Sequence, residues 1–131
     1  MKKEIIYTDK APQPGGTYSQ AVKIGNMVYL AGTVPFEINS TKIHAPGDLA
    51  TQTRLVLTYI KHTLEEAGSK LENVVKVTAF LTDMERFSEY DAVYKEFFPI
   101  DPPARSSIEI KKFPSFVPGM LIEIECVAYC D

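Results

Sequence analysis

The spacing of apolar residues alternates between the period of a strand and the period of a helix along this chain of 131 residues. From Asp48 to Ala67 the apolar side chains recur at spacings of three, four and seven, which predicts a helix with one buried stripe. Asp48 can cap its start and Gly68 its end. The segment from Asn73 to Thr82 alternates instead and predicts a strand. Its buried face is expected to carry Val75, Val77, Ala79 and Leu81.

A second helix is predicted between Asp83, which can cap it, and Pro99, which stops it. Its packed stripe is expected to comprise Phe87, Tyr90, Tyr94, Phe97 and Phe98. The remaining strands are expected near Glu4–Tyr7, at Ser19–Ile24 and Met27–Val34 around a Gly25-Asn26 turn, and at about Ala104–Lys111 and Met120–Tyr129. This order, β-β-β-α-β-α-β-β, predicts the α+β class, with two helices packed on one face of a single mixed sheet.

The length of the chain suits one compact domain, residues 1–131, with one core and one site. A formal net charge of −3 argues against nucleic-acid and membrane-surface partners. With no apolar run near the roughly 18 residues of a membrane span and no secretory leader, we expect a cytoplasmic protein. Cys126 and Cys130 would lie about 13 Å apart on a strand, too far for a disulfide. Because His44 and His62 lack metal-ligand spacing, we also expect no bound metal.

The face of the sheet opposite the two helices needs a cover. In the last two strands this face is expected to carry Arg105, Ser107 and Glu109, followed by Leu121, Glu123, Glu125, Val127 and Tyr129. It mixes charges with sizeable apolar groups, and so small a protomer would leave it exposed to water. We therefore expect a closed homo-oligomer.

Arg105 is the first candidate for binding chemistry. It lies in the run Pro102-Pro103-Ala104-Arg105-Ser106, where a proline-stiffened loop enters a strand and small neighbours leave the guanidinium accessible. A planar guanidinium fork suits a carboxylate or a phosphate. The alternative is a surface arginine that pairs with Glu109 or Glu123.

Three acidic residues are the other candidates. Glu123 and Glu125 share one face of the last strand, so they either perform acid–base chemistry close to Arg105 or are ordinary outward-facing polar residues. Asp91 lies on the apolar stripe of the second helix, where an acid needs either a charged partner or hydrogen bonds to the backbone. The residues alone leave these alternatives open.

Several spaced motifs give the chain a resemblance to a known family over nearly its whole length. They include Gly16-Thr17-Tyr18-Ser19-Gln20-Ala21, Gly25-Asn26-Met27-Val28-Tyr29, Gln52-Thr53-Arg54, Glu66-Ala67-Gly68, Pro103-Ala104-Arg105-Ser106 and Ile122-Glu123-Ile124-Glu125. On these motifs the chain resembles the Rid family, the reactive intermediate deaminases, also called the YjgF family. The resemblance implies a chorismate-mutase-like α+β fold and a homotrimer whose sheets form a central barrel, with three sites between subunits.

The resemblance also implies an activity and a set of site residues. Arg105 would bind the substrate carboxylate, Glu123 would orient or polarise the attacking water, and Tyr18 would close the site. The substrate pocket would be completed by Ala31, Gly32, Asp91 and Ser107. Similar proteins act on 2-aminoacrylate and 2-aminocrotonate through their imine tautomers, yield 2-keto acids and ammonia, and need no cofactor.

Departures from the family pattern bear on the substrate range more than on the reaction class. The chain has Thr17 where proline is common, Ala31 for serine, Ser107 for cysteine and Asp91 for asparagine, and its Lys111–Gly119 loop is longer than usual. The alternative function is a non-catalytic trimer that binds small carboxylates as a regulator. A ribonuclease, a name attached to this family, would need a basic surface that this acidic chain lacks.

Overall fold

The computed structural model describes residues 1–114 and 117–131, so Ser115 and Phe116 of the long loop lie outside the described residues. The elements in chain order are β1 Glu4–Ile6, β2 Ala21–Ile24, β3 Met27–Leu30, α1 Leu49–Glu66, β4 Val74–Leu81, α2 Phe87–Phe97, β5 Ala104–Glu109 and β6 Ile122–Tyr129. The strands form one mixed sheet in the order β1-β2-β3-β6-β4-β5, in which only β4 and β5 are parallel. The predicted α+β class and element order are confirmed.

An aspartate precedes each helix, but only the first aspartate caps its helix directly. Asp48 accepts a hydrogen bond from the backbone N–H of Thr51 at 3.0 Å and caps α1, and Gly68 follows its end with φ +84°. Asp83 caps a short 3-10 turn, Met84–Arg86, and the regular helix begins only at Phe87. The prediction that Asp83 caps α2 directly is therefore wrong by one turn.

The hydrophobic core lies between the helices and one face of the sheet. Within β4 the alternation holds from Val77 onward, with Val77, Ala79 and Leu81 buried. A β-bulge between Val74 and Lys76 shifts the first residues, so that Val74 is buried and Val75 is exposed. The prediction that Val75 lies on the buried face is wrong, because one extra residue in a bulge moves the side chains before it to the opposite face.

The two faces of the sheet separate residues that the sequence analysis placed together. In the register of the sheet, Val77 of β4 is paired with both Arg105 and Cys126, so Arg105 points to the helix side. Phe80 is paired with Glu123, which points to the opposite side, called here the open face. The prediction that Arg105, Ser107 and Glu123 share one face is wrong. The strands of Arg105 and Glu123 are also not neighbours, since β4 lies between them.

The open face has the mixed character that was expected. Exposed large apolar groups on it include Tyr29, Ile108 and Tyr129, beside the half-buried Phe80 and Val127. Cys126 and Cys130 are both free thiols, and both are buried. In the described part of the chain, no helix combines the length and the apolarity that crossing a bilayer requires.

Candidate functional site

A cavity of about 950 Å³ opens beside the end of β3 and the start of β6. It brings together four of the predicted site residues, Tyr18, Ala31, Gly32 and Glu123. Its other wall is apolar and includes Val34, Phe36, Phe113 and Met120. The cavity therefore combines one carboxylate and one phenol with a surface that excludes water from part of the space.

The carboxylate of Glu123 lies directly against the backbone of Gly32. A Cβ atom built on Gly32 would lie 2.7 Å from Cδ and 3.0 Å from Cγ of Glu123, and would meet its Oε2 still more closely. The backbone of Gly32 does not adopt a positive φ, so the glycine is needed here for space and not for conformation. The contact between Gly32 and Glu123 therefore restricts the positions that the carboxylate can adopt in the cavity.

The surroundings of Glu123 favour its protonated form more than water does. Burial raises the pKa of the carboxyl group, and the negative charge of Glu125 raises it further. Glu125 itself is exposed on the same face of β6. Glu123 lines the cavity, and its raised pKa makes its carboxylate a better proton acceptor than a glutamate in water.

Tyr18 lines the cavity and is held in place by the glycine turn before it. Its backbone N–H donates to the Gly16 carbonyl at 3.0 Å, and its hydroxyl accepts from the Gly15 N–H at 3.1 Å. More than half of the residue is exposed, so Tyr18 lines the cavity from its solvent side and does not belong to the core. The glycine turn thus sets the position of Tyr18.

Sequence reasoning missed the role of Gln20, which shapes the wall next to Tyr18. Its amide nitrogen donates to the carbonyls of Thr8 and Pro12 at 3.0 and 2.9 Å, and its amide oxygen accepts from the Thr8 N–H at 2.8 Å. The side chain therefore fixes the N-terminal segment that passes the cavity. Its place in the Ser19-Gln20-Ala21 motif was the signal, but only the fold shows what the amide contacts.

Arg105 lies in a separate cluster, on the helix side of the sheet. Its guanidinium carbon stands 5.3, 5.3 and 4.4 Å from the ring centres of Phe87, Tyr90 and Tyr94. Aromatic faces attract a guanidinium and hold its plane, while its edges stay available to acceptors. These aromatic residues of α2 were expected only to pack the helix against the core, and they also position Arg105.

One edge of the Arg105 guanidinium is taken by Asp91. Nη1 donates to Asp91 Oδ1 at 2.8 Å, and among the described residues no other carboxylate lies within ion-pair distance of it. The alternatives that pair Arg105 with Glu109 or Glu123 are therefore wrong, and the partner that Asp91 was expected to need is Arg105. Burial alone would lower the pKa of Arg105, but the bond to Asp91 and the surrounding charges raise it above its usual value.

Ser107 completes this second cluster. Its hydroxyl lies 3.1 Å from the hydroxyl of Tyr90, on the same side of β5 as Arg105. The predicted site residues thus form two groups in one protomer, with Tyr18, Ala31, Gly32 and Glu123 at the cavity, and Asp91, Arg105 and Ser107 on the helix side. Both groups are partly open to solvent, and β5 is an edge strand.

Comparison with known proteins places this geometry in one family. The model of the family described as endoribonuclease L-PSP matches residues 8–130. A RutC family protein of Pyrococcus abyssi is 45% identical over 129 residues, 98% of each chain. The 3-aminoacrylate deaminase RutC of Acinetobacter baylyi is 40% identical over 129 residues, 98% of this chain and 99% of that protein.

The fold agrees with solved structures of the same group. The crystal structure of RidA from an Antarctic Psychrobacter superposes with a TM-score of 0.88 at 36% identity, and the match covers 96% of this chain and 98% of that one. Family model, relatives and fold cover nearly the whole chain. The protein belongs to the endoribonuclease L-PSP family, the family of the Rid and RutC proteins.

Proposed function

We propose that the protein hydrolyses the imine form of reactive 2-enamino acids, such as 2-aminoacrylate and 2-aminocrotonate, to 2-keto acids and ammonia. The observation that carries the proposal is the position of the Glu123 carboxylate, which lies against Gly32 at the wall of a largely apolar cavity. The pKa of this carboxyl group is raised by burial. The 40% identity to a 3-aminoacrylate deaminase supports the reaction class.

The reaction needs positioning and proton transfer more than a strong nucleophile. Glu123 takes a proton from a water molecule as its oxygen adds to the C=N carbon of the protonated imine. The resulting carbinolamine carries a hydroxyl and an amino group on one carbon. Glu123 then returns the proton to the nitrogen and, as the C–N bond breaks, takes the proton of the hydroxyl group, so that ammonia leaves as the C=O bond forms.

The position of Arg105 supports a site built from two copies of the chain. One protomer holds Arg105 and Glu123 on opposite faces of its sheet, so it cannot present both to one small acid. Arg105 lies on the edge strand β5, which a second copy can approach, and the semi-apolar open face also calls for a cover. We infer a cytoplasmic homotrimer in which Arg105 of one subunit binds the substrate carboxylate next to the cavity of another.

The test is a coupled assay in which threonine dehydratase generates 2-aminocrotonate and semicarbazide traps the imine that remains. The wild type should suppress trapping. Arg105→Ala removes a charge-assisted contact worth roughly 1.5–3 kcal/mol and should lower kcat/KM about ten- to a hundredfold.

The same assay separates catalysis from mere binding of a small carboxylate. Glu123→Gln should abolish most turnover, whereas the matched change Glu125→Gln, on an exposed residue of the same strand and face, should not. Unchanged trapping with excess wild-type protein would refute the deaminase and favour the non-catalytic carboxylate-binding alternative.

A further inference from the structure

The guanidinium fork assigned to the substrate carboxylate already has a carboxylate on one edge. Asp91 Oδ1 accepts from Nη1 of Arg105 at 2.8 Å, and its Oδ2 lies 3.7 Å from Nζ of Lys95. The side chains of Arg105 and Asp91 are 24% and 23% exposed, so a ligand can reach both. Lys95 is 76% exposed and its charge is screened by water. The charges of Arg105 and Asp91 therefore largely cancel where the ligand binds.

We propose that Asp91 makes the Arg105 subsite selective for ligands that carry a carboxylate together with a cationic nitrogen, and against ligands that carry a carboxylate alone. The proposal rests on the proposed function, in which Arg105 binds the substrate carboxylate. A plain 2-keto acid brings a second negative charge next to Asp91, and like charges a few Å apart repel. A protonated 2-imino acid brings a carboxylate for Arg105 and N–H donors for Asp91.

This selectivity distinguishes the substrate from the product of the same reaction. Hydrolysis replaces the cationic nitrogen of the imino acid with a keto oxygen, and the nitrogen leaves as ammonia. The product therefore keeps the carboxylate but loses the group that compensates Asp91. Asp91 favours binding of the protonated imine and release of the keto acid.

Asp91→Asn is a suitable probe because it changes the charge and little else. The amide oxygen of asparagine can still accept the hydrogen bond from Nη1. The rings of Phe87, Tyr90 and Tyr94 continue to hold the guanidinium, since their contacts do not involve Asp91. The matched control is Glu96→Gln, which removes one negative charge from the same helix. Glu96 bonds Arg54 at 2.7 Å and lies outside the Arg105 cluster.

The experiment is a calorimetric titration of the full-length protein, at fixed ionic strength, with 2-ketobutyrate and with L-2-aminobutyrate. The two ligands share one carbon skeleton, and only the second carries a cationic nitrogen. The wild type should bind L-2-aminobutyrate more tightly. Asp91→Asn should lower the ratio of the two dissociation constants, keto acid over amino acid, by about tenfold, mainly through tighter keto acid binding. Glu96→Gln should change that ratio less than about twofold.

An unchanged ratio in Asp91→Asn, or an equal change in Glu96→Gln, would overturn the role of Asp91. Ammonia release from 2-aminocrotonate by the wild type is measured in parallel. Turnover with an unchanged ratio would remove only the role of Asp91 and leave the proposed function standing. A wild type that releases no ammonia and binds neither ligand would refute both.

Discussion

The contact between Gly32 and Glu123 allows the proposed chemistry to be tested by adding a single methyl group. In Gly32→Ala, the new Cβ would stand 2.7 Å from Cδ of Glu123, whereas ordinary contact begins at about 3.4 Å. The carboxyl carbon must therefore move by at least about 0.7 Å. The obstructing atoms are the end of a side chain and the backbone of residue 32 tolerates alanine, so the carboxylate moves and the fold stays.

A displacement of this size matters for catalysis and little for stability. Misplacing a catalytic group by about 1 Å costs on the order of a hundredfold in rate, or roughly 2.7 kcal/mol in the barrier. We expect kcat for imine hydrolysis to fall by about this factor in Gly32→Ala, while the free energy of unfolding changes by less than about 1 kcal/mol.

The assay combines trapping kinetics with urea unfolding of the same preparations. Adding Glu123→Asp to Gly32→Ala removes a methylene from the crowded side chain. The double variant should therefore be less than additively impaired. Wild-type kcat in Gly32→Ala would refute the assignment of Glu123 as the proton-transfer group. A large loss of stability would refute the view that the methyl displaces only the carboxylate.

Two further predictions concern stability. Burial raises the pKa of Glu123 in the folded state, so its ionised form opposes folding at neutral pH. Glu123→Gln should therefore raise Tm at pH 7.5. This gain in Tm should disappear below about pH 4, where the glutamate is protonated in both the folded and the unfolded state. The measurement is a series of thermal melting curves across this pH range, and a gain in Tm that persists at low pH would contradict the prediction. The side chain of Gln52 donates to the carbonyls of Ala45 and Gly119 and accepts from the Leu121 N–H. Gln52→Ala should therefore lower the free energy of unfolding, measured in urea, by about 3 kcal/mol. A loss below about 1 kcal/mol would contradict this prediction.

The two candidate clusters illustrate how far single residues could be predicted. Arg105, Glu123 and Tyr18 were selected from residue type, local sequence and family resemblance, and each is at least partly exposed. Their grouping was not predictable. The small and polar residues of β5 fit either face of a sheet, so nothing in the segment 104–109 fixes the side to which Arg105 points.

Asp91 is the residue for which the sequence came closest to the observed contact. Its place on an apolar helical stripe required a partner, but the choice between backbone and a charged side chain depended on which strand α2 covers. That strand is β5, which is parallel to β4. It carries Arg105, which follows Asp91 by 14 residues in the sequence. Only packing of the helix on the sheet brings the two charges together.

The sequence by itself determined the order and type of the elements, because helix and strand periods, caps and glycine turns are local properties that a short segment carries alone. The tertiary structure decided which residues share a face and which share a cavity. The bulge in β4, the register of β5 and the approach of Glu123 to Gly32 each arise from pairing between distant segments. Pairing depends on the packing of the whole sheet, so no single segment encodes it.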